Sequence, residues 1–578
     1  MADSILTRTA ARIGEFFTGR TTPWHKLPVA FGIVRLFRIR DRLRSNNLHD
    51  TYKIPSIPSP PLGQPNDAVR LARTVDGTFN DLKDPRMGSR ETRFGRCVPL
   101  NEIVPDEGAA MLSPSPRTVS LELMTRHKFQ PATTLNLLVA PWIQFMVHDW
   151  LSHGKNEKEN PFEIPLKNDD PWTERPMLVR RTRRDPTRPP ALNDSRPTFV
   201  NTETHWWDAS QMYGSDQATL SKLRSGERGK LRVEADGLLP VDPRTGVDLT
   251  GVTGNWWVGL SMLHTLFALE HNAVCDRLFQ KFPKWTDEEL FSHARLVIAA
   301  LLAKIHTIEW TPALLSHPTT VTVLNGNWLT IPRSSTDHHG VPYSIPEEFV
   351  SVYRMHPLMP DEFTLRSVTS GATLQQLTLP DVMERRAREI MNQISLTDLF
   401  YSFGTMHPGA LTLHNYPRFM QRLERPDAPL IDLASVDILR DRERGVPRYN
   451  RFRRLIDMPP AESFEDLTDN KQWVEELRRV YNNDINRVDL MVGLYAEKLP
   501  EGFAFSETAF RIFILIATRR LKSDRFFTRD YRPEIYTHVG LDWIHDNTMA
   551  TVLKRHFPAL ERPLRKVKNA FAPWQHTT

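Results

Sequence analysis

Two stretches of this chain repeat apolar residues at helical spacing with almost no polar face: "ELFSHARLVIAALLAKIHTIEW" (289–310) and "SETAFRIFILIATRRLKSDRFF" (506–527). A surface helix shows one apolar stripe, so helices apolar on several sides are expected deep in a core. A third run, "WIQFMVHDWLSHG" (142–154), is apolar except where His148 and Asp149 interrupt it side by side. Residues 5–50, including "FGIVRLFRIRDRL", mix apolar and basic positions at helical spacing. Such a helix lies either on a membrane surface or on the body with its basic face outward. Strand-like runs are short and few. The Pro-rich "IPSIPSPPLGQPN" (54–66) reads as a connector, and the polar, dibasic stretch 155–200 as a long surface excursion. The expectation is a mainly α fold with few short strands. One large domain covers 67–578, with an N-terminal helical, basic segment and connector (1–66) packed on it.

Composition narrows this picture. The 578 residues hold 75 basic and 69 acidic side chains, a net charge of +6, with acids and bases interspersed. No basic arm or tract suggests a nucleic-acid partner. Cys97 and Cys275 cannot form a disulfide framework and are expected to be free, buried thiols in a reducing compartment. The N-terminus lacks a signal-peptide core, and no window approaches about 18 uninterrupted apolar residues. The expectation is an intracellular protein, a monomer, with at most peripheral contact with lipid.

Four constellations carry candidate chemistry. His148 and Asp149 form the first. A lone His on an apolar face is more often a satisfied core residue, but two adjacent ionisable groups need partners. The second is "THWWDASQMYGS" (204–215), where Thr204, Asp208 and Ser210 recur with the Trp206 carbonyl between them. An extended loop would aim these oxygens to one side as ligands for a hard cation such as Ca²⁺, with Asp149 adding a second carboxylate. Asx and Ser loops are also ordinary turn material. In the third, "FVSVYRMHPLMPDEF" (349–363), Tyr353 and His356 would share a helix face, suiting an imidazole that binds haem iron beside an oxidisable tyrosine. A structural Tyr at the end of a buried helix is the plainer reading. The fourth places His306, Thr311, Arg519, Arg520 and Arg525 inside the two most apolar helices. Buried Arg and His need an anion. Either an internal acid, with Glu309 at hand, or a bound carboxylate supplies it.

Together and in this order, "WIQFMVHDW", "WWDASQMYGS", "EHNAVCD", "AKIHTIEWT", "VYRMH", "RDRERGVPRYN", "FSETAF" and "TRRLKSDRFFT" resemble the haem peroxidase–cyclooxygenase superfamily, and within it the fatty-acid α-dioxygenases. The resemblance runs from "PWHKLP" (23–28) to "RHFPAL" (555–560). It implies haem b and Ca²⁺ as cofactors. His148 matches the distal histidine, with Gln144 on the haem side of the same helix. Asp149, Thr204, Trp206, Asp208 and Ser210 match the calcium ligands. His356 takes the proximal iron-ligand position and Tyr353 that of the radical tyrosine. His306, Thr311 and Arg520 match the grip on the substrate carboxylate, and Arg440 and Arg444 match positions near the haem propionates. The 155–200 segment is more Arg- and Pro-rich, and 325–345 shorter, than the plant members lead one to expect. No thiolate-haem domain or EGF-like module is expected.

The implied reaction adds O₂ at C2 of a long-chain fatty acid through a tyrosyl radical, giving a 2-hydroperoxy acid. Two alternatives compete. A conventional haem peroxidase oxidising small reductants gives Tyr353, His306 and Arg520 no role. A non-catalytic haem- or lipid-binding protein turns nothing over.

Overall fold

The computed structural model describes residues 22–424 and 429–577. The helices that position the site are α1 (Val29–Asn46), α2 (Val139–Trp150), α3 (Val258–Lys281), α4 (Asp287–Ile305), α5 (Pro318–Thr330), α6 (Glu347–Val352), α7 (Leu433–Glu443), α8 (Glu507–Ser523) and α9 (Pro533–Asp546). Helix α4 lies at the centre, packed between α3 and α9, with α2 on the other side of α3. Its burial explains its sequence: from Ala294 to Ile305 every residue is buried, so no polar face was needed. The span Asp287–Leu314 has a mean hydropathy of 1.3, enough on composition alone to cross a membrane, yet its neighbours here are protein. Its start is set by a capping box in which Thr286 and Glu289 satisfy each other's backbone N–H. Both cysteines are buried and free.

Strands are confined to antiparallel pairs among the described residues: β1 (Thr92–Arg93) with β4 (Val200–Asn201), β2 (Phe162–Ile164) with β3 (Met177–Val179), and β5 (Glu362–Arg366) with β6 (Thr373–Thr378). The β2–β3 pair makes the 155–200 excursion more ordered than its composition suggests. Ile164, Trp172 and Met177 form a small core of their own against Leu439. Buried ion pairs pin the excursion to the body, Arg93 to Asp185 at 2.7 Å and Arg117 to Asp170 at 3.0 Å.

The described part of the N-terminal segment packs on the body. Helix α1 lies across α5 and α8, burying Leu36 and Leu43. Arg44 Nη2 donates to Thr518 Oγ1 at 2.8 Å. Gly32 permits the approach, since a Cβ there would sit 3.0 Å from Thr319 Oγ1. Residues 5–21 of that stretch lie outside the described residues.

Candidate active site

A cavity of ≈390 Å³ opens between α2 and the segment that follows α6. Gln144 and His148, one helical turn apart on α2, line one wall, and Tyr353 and His356 line the other. Gln144 is clamped by donating to Asn255 O (3.0 Å) and accepting from Trp257 Nε1 (2.8 Å). Burial pushes the His148 imidazole down to about 4, so it is neutral over the physiological range. His148 Nδ1 is sealed in the protein without a hydrogen-bond partner. His356 Nδ1 lies 3.0 Å from Asp437 Oδ2 on α7, which leaves Nε2, the ring's other nitrogen, for the cavity. Asp437 also accepts from Tyr416 Oη at 3.0 Å. Burial would push the Asp437 carboxyl up, but His356 and then Arg354 outweigh it and hold it below the usual range.

The shared helix face expected for Tyr353 and His356 is not how they meet. Helix α6 ends at Val352, Tyr353 is its C-cap, and His356 begins a separate 3₁₀ turn. Pro357 behind His356 prevents an uninterrupted helix. The two side chains still reach one cavity.

On α2, consecutive residues point about 100° apart, so His148 and Asp149 divide: the imidazole faces the cavity and the carboxylate turns to the 204–215 loop. Asp149 Oδ1 accepts from Ser210 N at 2.6 Å and from Ser210 Oγ at 3.1 Å. Ser210 N also lies 3.2 Å from Asp208 Oδ1, so one N–H spans two buried carboxylates. Asp208 Oδ2 accepts from Arg295 at 3.2 Å. Asp149 Oδ2 and Thr204 Oγ1 are buried with no hydrogen bond. Burial, then Asp208, pushes the Asp149 carboxyl far above its ordinary range. The loop is not extended as expected. It bends through 205–208, Ala209 adopts a left-handed φ of 63°, and Ser210 opens a helical turn. Holding a residue with a Cβ there costs about 1 kcal/mol or more, and it aims the Ser210 N–H at Asp149.

A second, narrower pocket adjoins the first, and Tyr353 lines both. It collects His306, Thr311 and Arg520. The backbone departs from the α-helix here: after α4, His306–Trp310 form a π-turn, closed by the Thr311 N–H donating to His306 O. In an α-helix residues five apart diverge by about 140°. The wider π-turn brings His306 and Thr311 to one side, as such turns often do at functional sites. Trp142 Nε1 donates to His306 Nδ1 at 3.2 Å, which leaves the proton on Nε2. Burial, then Arg520, keeps His306 neutral. Thr311 Oγ1 is buried with no partner. The Arg520 guanidinium sits 4.0 Å over Trp150 and 4.6 Å over Trp207, and its Nε and Nη2 are buried without acceptors. His306, Thr311 and Arg520 thus converge, with no carboxylate among the described residues hydrogen-bonded to the Arg520 Nε or Nη2. Burial raises the Tyr353 phenol well above its ordinary range, so it is protonated.

Other expectations fare differently. Glu309 is no counter-ion for this arginine: it accepts from Met549 N at 3.1 Å, and burial pushes it up to about 7. Arg519 instead donates to Val341 O (2.8 Å), and Arg525 pairs with Asp530. Neither Arg440 nor Arg444 lines the cavity. Arg440 is held by Glu443 at 2.7 Å, and Arg444 by Thr182 Oγ1 at 3.4 Å with Glu347 at 3.8 Å, so both face the 155–200 excursion. His153 braces the end of α2, 3.0 Å from Glu347 and stacked on Phe94. The sequence reading missed Asp437; its signal was the i, i+4 pair Asp437 and Asp441 inside a mostly buried helix. It also missed His264 behind α2, where both ring nitrogens are buried without partners.

The profile of the animal haem peroxidases matches residues 72–571. The chain is 37% identical to the α-dioxygenase PIOX of Nicotiana tabacum, covering 96% of this chain and 90% of that one. It is likewise 37% identical to α-dioxygenase 2 of Arabidopsis thaliana, over 95% and 91% of the two chains. The crystal structure of the fatty acid α-dioxygenase of Oryza sativa superimposes with a TM-score of 0.89 at 36% identity, over 99% of this chain and 97% of that one. A tyrosine-to-phenylalanine variant of the rice protein, crystallised with palmitic acid, superimposes equally well at 35% identity. Motif order, fold and full-length similarity agree: this chain belongs to the animal haem peroxidase family, and within it to the α-dioxygenases.

Proposed function

We propose that this protein is a haem-dependent fatty-acid α-dioxygenase that adds O₂ to C2 of a long-chain fatty acid. One observation carries the reading: Tyr353 stands in the wall between a cavity flanked by two histidines and a pocket where Thr311 Oγ1 and the Arg520 Nε and Nη2 lie buried without partners beside His306. The residues present fit a haem. His356 would hold the iron through Nε2, backed by Asp437, and His148 and Gln144 of α2 line the same cavity. The haem supplies the one-electron oxidising equivalent that no ordinary side chain can.

The protein's own groups do the rest. His148, neutral and facing the cavity, would accept and return a proton of a hydroperoxide, the co-reactant that supplies the initial oxidising equivalents. His306 Nε2–H, Thr311 Oγ–H and the Arg520 guanidinium hold the substrate carboxylate, which places C2 beside Tyr353. The oxidised Tyr353 takes one hydrogen atom from C2, O₂ adds to the carbon radical, and the peroxyl radical takes a hydrogen atom back from Tyr353. The product is a 2-hydroperoxy fatty acid with the tyrosyl radical restored. A saturated chain suffices because the carboxylate, rather than a double bond, selects the carbon.

We also infer that Asp149, Asp208, Thr204, Ser210 and the Trp206 carbonyl bind Ca²⁺. Two buried carboxylates, one unpartnered carboxylate oxygen and an all-oxygen donor set support this reading. Its role would be to brace α2 and thereby His148.

Oxygen uptake by the haem-loaded protein with palmitate, with the product identified by mass, tests the main proposal. Tyr353→Phe should abolish uptake while the Soret band and palmitate binding persist. Continued uptake by that variant would refute the radical role. Peroxide-driven oxidation of small phenols without any fatty-acid oxygenation would favour the conventional peroxidase instead.

A further inference from the structure

The carboxylate pocket does not end at Thr311. A second apolar space continues from it, and the two share Leu324, Asn327, Phe513, Ala517 and Thr518 as walls. Leu36, Phe37 and Arg40 of α1 line this second space and not the first. We propose that α1 is the tail-reading element of the substrate site, with Phe37 and Arg40 setting the acyl chain length this protein prefers. The inference rests on the fatty-acid reading above and adds the part of the substrate that α1 meets.

Helix α8 supplies the ruler. Arg520, Ala517, Phe513 and Phe510 line the two spaces in succession along one helix. Ten residues from Arg520 to Phe510 span about 15 Å at 1.5 Å per residue. An extended chain advances roughly 1.2 Å per bond, as an extended peptide does over its three bonds per residue. A fatty acid held at Arg520 therefore reaches the level of Phe510 after about 12 bonds, near C13. Phe37 lines this same stretch, with Val323 on α5 and Ile514 on α8 around it, so chains of about 14 carbons or more pack along its ring. The Arg40 guanidinium lies 4.7 Å over the Phe37 ring and 3.1 Å from Asp41. A charged, salt-bridged side chain is a poor neighbour for an acyl chain, so Arg40 bounds the apolar path on the α1 side. Free space is small, ≈20 Å³ and ≈30 Å³ in the two parts, so an acyl chain must displace side chains to enter. Phe513 lines both parts.

The test is a chain-length profile, from C8 to C20 saturated acids, on the haem-loaded full chain. Both direct fatty-acid binding and kcat/KM for oxygen uptake are measured for wild type, Phe37→Ala, Phe37→Trp and Val323→Phe. Each methylene gained or excluded is worth about fourfold. Phe37→Ala should therefore raise C18 and C20 relative to C14 by about tenfold or more, leaving C8 to C12 unchanged. Phe37→Trp and Val323→Phe, filling the end from opposite walls, should depress C16 and longer acids and spare C10. If wild type binds and oxygenates fatty acids but all three variants keep its profile within about twofold, α1 does not read the tail. If wild type binds no fatty acid of any length, the fatty-acid reading falls, and this inference with it.

Discussion

Replacing Arg520 by Gln should remove most of the affinity for fatty acids while leaving the fold intact. The guanidinium lies between two indoles, 4.0 Å from Trp150 and 4.6 Å from Trp207, with Nε and Nη2 buried and without acceptors. The indoles hold the side chain in place, and the unpaired hydrogens are what a carboxylate would meet. Removing one partner of a desolvated, hydrogen-bonded ion pair costs about 3–5 kcal/mol. At about 1.4 kcal/mol per factor of ten, kcat/KM for palmitate should fall by roughly two to nearly four orders of magnitude. Methyl palmitate, which carries no charge, should bind both proteins weakly and alike. Stability should move the other way. A buried guanidinium with Nε and Nη2 unsatisfied is a burden on the substrate-free fold, so Arg520→Gln should raise the Tm or leave it unchanged. Palmitate should raise the Tm of wild type only. The measurements are oxygen uptake, palmitate binding and thermal melts with and without palmitate. Palmitate affinity retained within about threefold, or acid and ester binding lost equally, would refute the carboxylate clamp.

Thr311→Val, which keeps the shape and removes only the hydroxyl, should weaken palmitate binding by about tenfold, the worth of one hydrogen bond to a charged group, with no loss of Tm. Asp149→Asn, or a Ca²⁺ chelator applied to wild type, should lower the Tm and slow the reaction of the loaded protein with peroxide; added Ca²⁺ should rescue the chelated protein but not the variant. Acid should destabilise the fold through histidines buried neutral. His205 and His271 are each pushed down to about 4 by burial, with ring nitrogens engaged by Ile345 N and Tyr213 Oη. Their folded pKa lies below the unfolded value of 6.5, so the unfolded chain binds more protons between the two. Stability is thus level above pH 6.5 and lost as pH falls toward 4, each histidine adding about 1.4 kcal/mol per pH unit. Urea melts from pH 7.5 to 4.5 check this. His205→Gln and His271→Gln should each flatten the slope, and an unchanged slope would remove these two residues from the explanation.

The chain's hydrophobic pattern by itself determined the helical class and the burial of its central elements. A helix apolar on all sides, as in 294–305, has nowhere stable to lie except among other helices. It also determined that His148 and Asp149 must diverge, because neighbouring helix positions point about 100° apart. The functional residue types were legible too, since buried Arg, His and paired carboxylates are costly and survive only with partners. Tertiary structure decided what those partners are. Glu309 is close in sequence to His306, yet it turns to Met549, and Arg520 keeps its Nε and Nη2 without acceptors. Asp437 lies 81 positions beyond His356, and only the packing of α7 against the turn at Pro357 brings its carboxylate within 3.0 Å. The π-turn at 306–310, the left-handed Ala209 and the break between Tyr353 and His356 were likewise invisible to a periodicity argument. Periodicity describes regular elements, and each of these is an irregularity held in place by contacts with residues far away in the chain. The decisive placement, Tyr353 between the two pockets, depends on α2, α4, α6 and α8 meeting at one point, which no local pattern encodes.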